Sequence, residues 1–151
     1  MRENLEQAFA SHVANVQSRQ SRLDPDRKLS IPVLEGPSGI GKTSCVEEFA
    51  REKGFQLIQL DCSFEPANFL AFRINNAINE IRSGQITGCV LLVNYIHEID
   101  GEWRELFDQY RHNRLSFEVD VVSDGEKGKR VVVFDQIPAQ VFVVGESRPD
   151  N

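Results

Sequence analysis

The sequence predicts an α/β fold: a mainly parallel sheet flanked by helices, with an antiparallel hairpin inserted before the last strand. Three observations carry that expectation. A glycine-rich loop at residues 36–43 lies between a short apolar run and a segment of helical periodicity. The run Gly88, Cys89, Val90, Leu91, Leu92, Val93 is continuously apolar, the pattern of a strand covered on both faces in a parallel sheet. Strand-like and helix-like segments alternate from residue 31 to residue 112, the order from which crossover units build such a sheet.

Taken in order, Leu5, Phe9, Val13 and Val16 recur at helical spacing, so residues 3–22 are expected to form an amphipathic helix with a packed face. Asp24, Pro25, Asp26, Arg27 and Lys28 make a polar hinge. The chain thus divides into an N-terminal helix and hinge, 1–29, and a core, 30–151. Residues 31–34 read as a short strand feeding the loop. Residues 42–53 read as a helix, with Cys45, Val46, Phe49 and Ala50 on one face and Gly54 as its stop. A second strand spans 55–60 and closes at Asp61. Pro66 suits the first turn of a helix that reaches about residue 83, with Leu70, Ile74, Ala77, Ile78 and Ile81 as its buried stripe and Gly84 as its end.

After the buried strand at 88–93, a helix over 101–112 presents Trp103, Leu106, Phe107 and Tyr110, with Asp100 as its N-cap. The pattern then changes to alternation at 115–121, a turn at 124–129, and Arg130, Val131, Val132, Val133, Phe134. That is a hairpin. A last buried strand is expected at 140–145, followed by a polar end, 146–151.

Bulk composition narrows the function classes. At 151 residues, 40% hydrophobic and 26% charged, the chain suits one domain with a real core. A net charge of −6 argues against a general nucleic-acid or anionic-membrane surface, so neither is expected as a partner. The basic cluster Arg111, His112, Asn113, Arg114 reads as a solvated helix end, and His97 and His112 as surface residues. Cys45, Cys62 and Cys89 form no metal spacing and leave an odd count. Reduced core thiols fit a cytoplasmic or nuclear compartment. No apolar run approaches the length of a membrane span, and the N-terminus has no apolar signal core.

The chemistry concentrates in the loop. Gly36, Pro37, Ser38, Gly39, Ile40, Gly41, Lys42 and Thr43 fit the pattern G-x-x-x-x-G-K-[ST] in full, between a predicted strand and a predicted helix. In that setting backbone N–H groups curl around a phosphate, and the helix N-terminus adds its positive dipole end. The lysine reaches the outer phosphates and the Thr43 hydroxyl is placed to ligate Mg²⁺. The expected binding set for a nucleotide is these eight residues with Ser44.

With the elements placed, the chain resembles the AAA+ P-loop ATPases, especially the MoxR, midasin and dynein-like branches. Residues 33–43 are similar to the Walker A segment of that family. Residues 89–96 stand where its Walker B strand would lie, and 103–117 resemble the helix and turn that follow. Residues 140–149 are similar to its sensor 1 strand, and the hairpin before them to its pre-sensor 1 insertion. The resemblance implies ATP and Mg²⁺ as cofactors, protein partners or self-association, and ATP hydrolysis assisted by a Walker B Asp-Glu pair.

The departures from the family pattern matter as much. Asn94 and Tyr95 occupy the places of that pair. A neutral Asn94 holds a metal's water shell less firmly than Asp, and a phenol is no general base at neutral pH. At the place of sensor 1 the chain offers Ser147 and Arg148. Relative to the family the core is incomplete: the fifth strand, the arginine-finger segment and the helical lid are missing. Two other acids could restore catalysis, Glu98 beyond the strand tip and Asp135 after the second hairpin arm. The competing accounts are that Glu98 is solvated and that Asp135 ends a hairpin strand. The leading expectation is therefore an ATP-binding module with weak or no hydrolysis, regulatory or part of a larger assembly. An active Mg²⁺-dependent ATPase using Glu98 or Asp135 is the alternative. No guanine-reading Asn-Lys-x-Asp tetrad occurs. Without the fifth strand, the strand entering the loop is expected to sit at an open sheet edge.

Overall fold

The computed structural model describes residues 2–20, 27–36, 41–96, 99, 101–112, 115–134 and 137–147. Its elements are α1 (Arg2–Gln20), β1 (Val33–Glu35), α2 (Lys42–Lys53), β2 (Gln56–Asp61), α3 (Asn68–Arg82), β3 (Cys89–Asn94), α4 (Gly101–Arg111), β4 (Leu115–Ser123), β5 (Glu126–Phe134) and β6 (Val141–Ser147). Four strands form a parallel sheet in the order β1-β6-β3-β2, and β4 and β5 form a separate two-stranded ribbon. The predicted α/β fold is present.

Local chemistry sets several boundaries. β1 begins two residues later than predicted, because Pro32 has no N–H to place in a ladder; its carbonyl still accepts from the Gly145 N–H at 2.8 Å. α2 stops at Gly54, whose N–H bonds back to the Ala50 and Arg51 carbonyls. The turn expected at 124–129 is only two residues long. Asp124 (φ 53°) and Gly125 (φ 80°) both take the left-handed conformation that a tight hairpin requires. Residues 126–129 therefore belong to β5, paired residue for residue with β4. The second hairpin arm runs antiparallel to β4 and takes no place in the parallel sheet.

Alternation in the buried strands sends successive side chains to opposite faces. On one face, Val90, Leu92, Phe142 and Val144 pack with Val46 and Phe49 of α2 and Leu5 of α1. On the other, Leu91, Val93 and Val143 meet Leu70, Ile74 and Ile78 of α3 and Trp103 of α4. Fully burying one such large apolar side chain contributes about 1.5–3 kcal/mol. α1 is part of this body: Phe9 stacks edge-on against Phe49, Phe55 and Phe142 at 5.3–5.8 Å between centroids. Its buried stripe also includes His12, whose Nε2–H donates to the Val141 carbonyl at 2.8 Å. Near its end, Arg19 donates to the His112 carbonyl at 2.8 Å, tying α1 to the end of α4. Among the described residues, no helix is long and apolar enough to cross a membrane.

Candidate functional site

Parallel strands bring their carboxyl ends to one edge of the sheet, where a loop can present a ligand to several strands. Here that edge is made by Glu35 of β1, Asp61 of β2, Asn94 of β3 and Ser147 of β6. Asp61 pairs in register with Asn94, Val93 with Gly145, and Leu34 with Glu146. By period two, Asn94 continues the row of Val90 and Leu92, and Glu146 the row of Phe142 and Val144. Both rows face α2, the helix that follows the glycine-rich loop.

Of the expected loop set, Gly36, Gly41, Lys42, Thr43 and Ser44 are described; Pro37, Ser38, Gly39 and Ile40 lie outside the described residues. Gly41 is the N-cap of α2, at φ 84°, a conformation in which a side chain would be strained. A glycine N-cap has no side chain to satisfy the first-turn N–H groups, so these remain for a ligand. Thr43, in that first turn, is half-buried.

Lys42 is the centre of the arrangement. It is buried at 4% exposure, and its ammonium donates to the Gly36 carbonyl and, at 3.1 Å, to the Ser147 carbonyl. The same nitrogen stands 3.5 Å from Glu146 Oε1, with the two side chains 3% and 1% exposed. The sequence placed Glu146 in a polar tail. It is instead an interior residue of β6, tolerated there because a cation from another element meets it. Its position in the Phe142, Val144, Glu146 row was the available signal, but its partner arrives from more than a hundred residues away.

The β3 tip is neutral. The Asn94 amide donates to Gln59 Oε1 at 3.4 Å, turning toward β2, and its buried Oδ1 has no hydrogen-bond partner. Tyr95 follows at φ 60°, half-buried. Asp61, the acid of the neighbouring tip, accepts from the Ser63 backbone N–H at 2.8 Å and from its hydroxyl. Such a bond holds the carboxylate in its own turn. Glu98 and Asp135, the two alternative acids, lie outside the described residues, as do Arg148, His97 and Asp100. The strand before Asp135 is a hairpin arm, so it does not stand where a Walker B strand would.

Ligand chemistry fits these residues. Uncapped first-turn N–H groups with a buried ammonium suit an anion. The buried Asn94 Oδ1, without a hydrogen-bond partner, suits a water bound to a cation. Among the described residues no cluster of three His, Cys, Asp or Glu side chains could cage a metal alone. Elsewhere, none of the three cysteines is in a disulfide; Cys89 is fully buried, Cys45 and Cys62 half-buried. Burial, with Glu80 adding to it, pushes the Cys89 thiol up to about 12, which makes it inert.

A strand-loop-helix with a buried loop lysine at the carboxyl edge of a β1-β6-β3-β2 parallel sheet defines a P-loop nucleoside triphosphatase class. Consistent with that, the family model for ATPases associated with various cellular activities (AAA) matches residues 32–139. The chain belongs to this AAA family of nucleotide-binding, ATPase-like modules. Its fold is similar to those of two mutant forms of Thermotoga maritima RuvB. One is 15% identical with a TM-score of 0.50, covering 98% of this chain and 39% of that one. The other is 17% identical with a TM-score of 0.51, covering 98% and 40%. At such identities the likeness concerns the fold alone, and the chain spans about two fifths of the length of those structures. A search of curated protein sequences found no match.

Proposed function

We propose that this chain is an ATP–Mg²⁺-binding AAA module with weak or no hydrolysis, acting in regulation or assembly or as part of a larger remodelling ATPase. The observation that supports this reading most is the β3 tip. Asn94 and Tyr95 stand where the family's acids would be, and the Asn94 amide donates to Gln59. Nothing on that strand end can take a proton from an attacking water at neutral pH.

Binding is a separate matter and needs less. The first-turn N–H groups of α2 and the Lys42 ammonium would hold phosphate oxygens, and the Thr43 hydroxyl and Asn94 Oδ1 would hold Mg²⁺ and its water shell, which would supply positive charge against the phosphates. Steady positioning without a base gives a bound nucleotide that persists, which suits a module that signals or scaffolds by occupancy.

Calorimetric titration with ATP and Mg²⁺, beside a phosphate-release assay on the same sample, tests both halves. The expected result is micromolar binding with release close to the uncatalysed background. Vigorous phosphate release would refute the inactive reading. Glu98→Gln and Asp135→Asn would then show which acid supplies it, because the true catalytic acid abolishes turnover while sparing binding.

A further inference from the structure

We propose that Glu146 competes with nucleotide phosphate for Lys42, and that this competition makes Mg²⁺ a condition of nucleotide binding. The inference rests on the nucleotide-binding reading above and adds a residue that the loop motif does not contain.

An ammonium has three N–H donors. Lys42 Nζ donates to the Gly36 and Ser147 carbonyls and stands 3.5 Å from the Glu146 carboxylate. A phosphate oxygen that takes Lys42 enters beside all three. The two carbonyls are neutral backbone groups, fixed by the loop and by β6, and they can stay beside an anion. The carboxylate cannot do so without cost. It is 1% exposed, so water screens it poorly, and a phosphate brings like charge against it. The side chain most in conflict with the incoming ligand is therefore the one already holding the lysine.

The neighbouring strand tip does not relieve this conflict. Asn94 is neutral and turned toward Gln59, and Asp61 is held by Ser63. The acid beside the loop lysine has thus come from β6, one strand along the same sheet face. A divalent cation reverses the balance. With Mg²⁺ on the phosphates, Glu146 faces a ligand whose charge is largely compensated, and it becomes an additional acceptor for the metal's waters. Nucleotide without metal brings its full negative charge against the Glu146 carboxylate.

The test is calorimetry with ATP, once with Mg²⁺ and once with EDTA, on the wild type and Glu146→Gln. A like charge about 6 Å away at an effective dielectric of about 20 weakens binding about a hundredfold. Wild type should therefore bind metal-free ATP about a hundredfold more weakly than Mg²⁺–ATP. Glu146→Gln should narrow that ratio below about tenfold, by strengthening the metal-free binding. The same variant should melt at a lower temperature when empty, since Lys42 loses its counter-charge. A merely structural Glu146 would instead lower the melting temperature and both affinities together, which would overturn the proposal. If Glu146→Gln does not fold, Glu146→Asp keeps the charge on a shorter arm and should narrow the ratio partway; an unchanged ratio overturns the proposal. Folded protein that binds ATP in neither condition, wild type and variant alike, would bring down the nucleotide reading itself.

Discussion

Lys42→Ala should damage the fold as well as the ligand site. The side chain removed is the cation standing 3.5 Å from Glu146 Oε1, in a pair 3% and 1% exposed. At an effective dielectric of about 20, Coulomb's law gives an attraction of about 5 kcal/mol at that separation. Desolvation of the two ions offsets much of this in the intact protein. Deleting one ion leaves the desolvation of the other uncompensated, which costs about 3–5 kcal/mol for buried pairs. Against a total stability of about 5–15 kcal/mol, that is a large part of the whole. Replacing both partners by apolar groups, Lys42→Met with Glu146→Leu, should return stability to within about 1–2 kcal/mol of wild type. Urea unfolding measures this directly, with Trp103, the chain's one tryptophan and fully buried, as the fluorescent reporter. The reasoning fails if either single substitution costs less than about 1 kcal/mol, or if the double substitution costs the sum of the two singles. A lost nucleotide signal in Lys42→Ala has meaning only where circular dichroism shows a folded chain.

Three further outcomes are expected. Burial holds His12 down at about 4 from an ordinary 6.5, with backbone hydrogen bonds opposing it. The unfolded chain therefore binds the extra proton between these values. Stability should be full above about pH 6.5 and fall toward pH 4 by about 3 kcal/mol; His12→Gln should flatten that part of the urea-midpoint profile, and an unchanged slope would refute it. A Cβ on Gly88 would lie 2.5–2.7 Å from the Phe55 ring, so Gly88→Ala should cost about 1–3 kcal/mol, and an unshifted melting temperature would show that the ring moves freely. Finally, Pro32 accepts from Gly145, so the parallel ladder turns the backbone groups of Val33 and Glu35 away from β6, toward the open side of β1. Light scattering should reveal self-association through this edge. A monodisperse monomer whose Val33 and Glu35 amides exchange rapidly would contradict that.

Local patterns carried most of the fold. The continuous apolar run before Asn94 and the stripes of α3 and α4 specify burial within a few residues, so sequence and structure agree there. The Asp124-Gly125 turn was also legible, but the polar residues after it disguised a strand as a loop. Residues 126–129 are exposed, so this stretch of the ribbon needs no apolar alternation. His12 shows a different limit. A histidine on an apolar stripe reads as a break, and backbone groups far along the chain, the Val141 carbonyl first, make its burial tolerable. The loop half of the candidate site was visible as a motif, because glycines and a lysine at fixed spacing reflect local backbone geometry. The β6 half was not. Glu146 acquires its meaning from Lys42, and one-dimensional spacing holds no trace of a contact between residues more than a hundred positions apart.

The ribbon of β4 and β5 pairs with no strand of the parallel sheet, and its turn residues Asp124 and Gly125 are exposed. The ladder hydrogen bonds of the four-stranded sheet are complete without it. Sequence grafted at that turn, such as an epitope tag or a fluorophore attachment site, would lengthen an arm and leave every core side chain where it is.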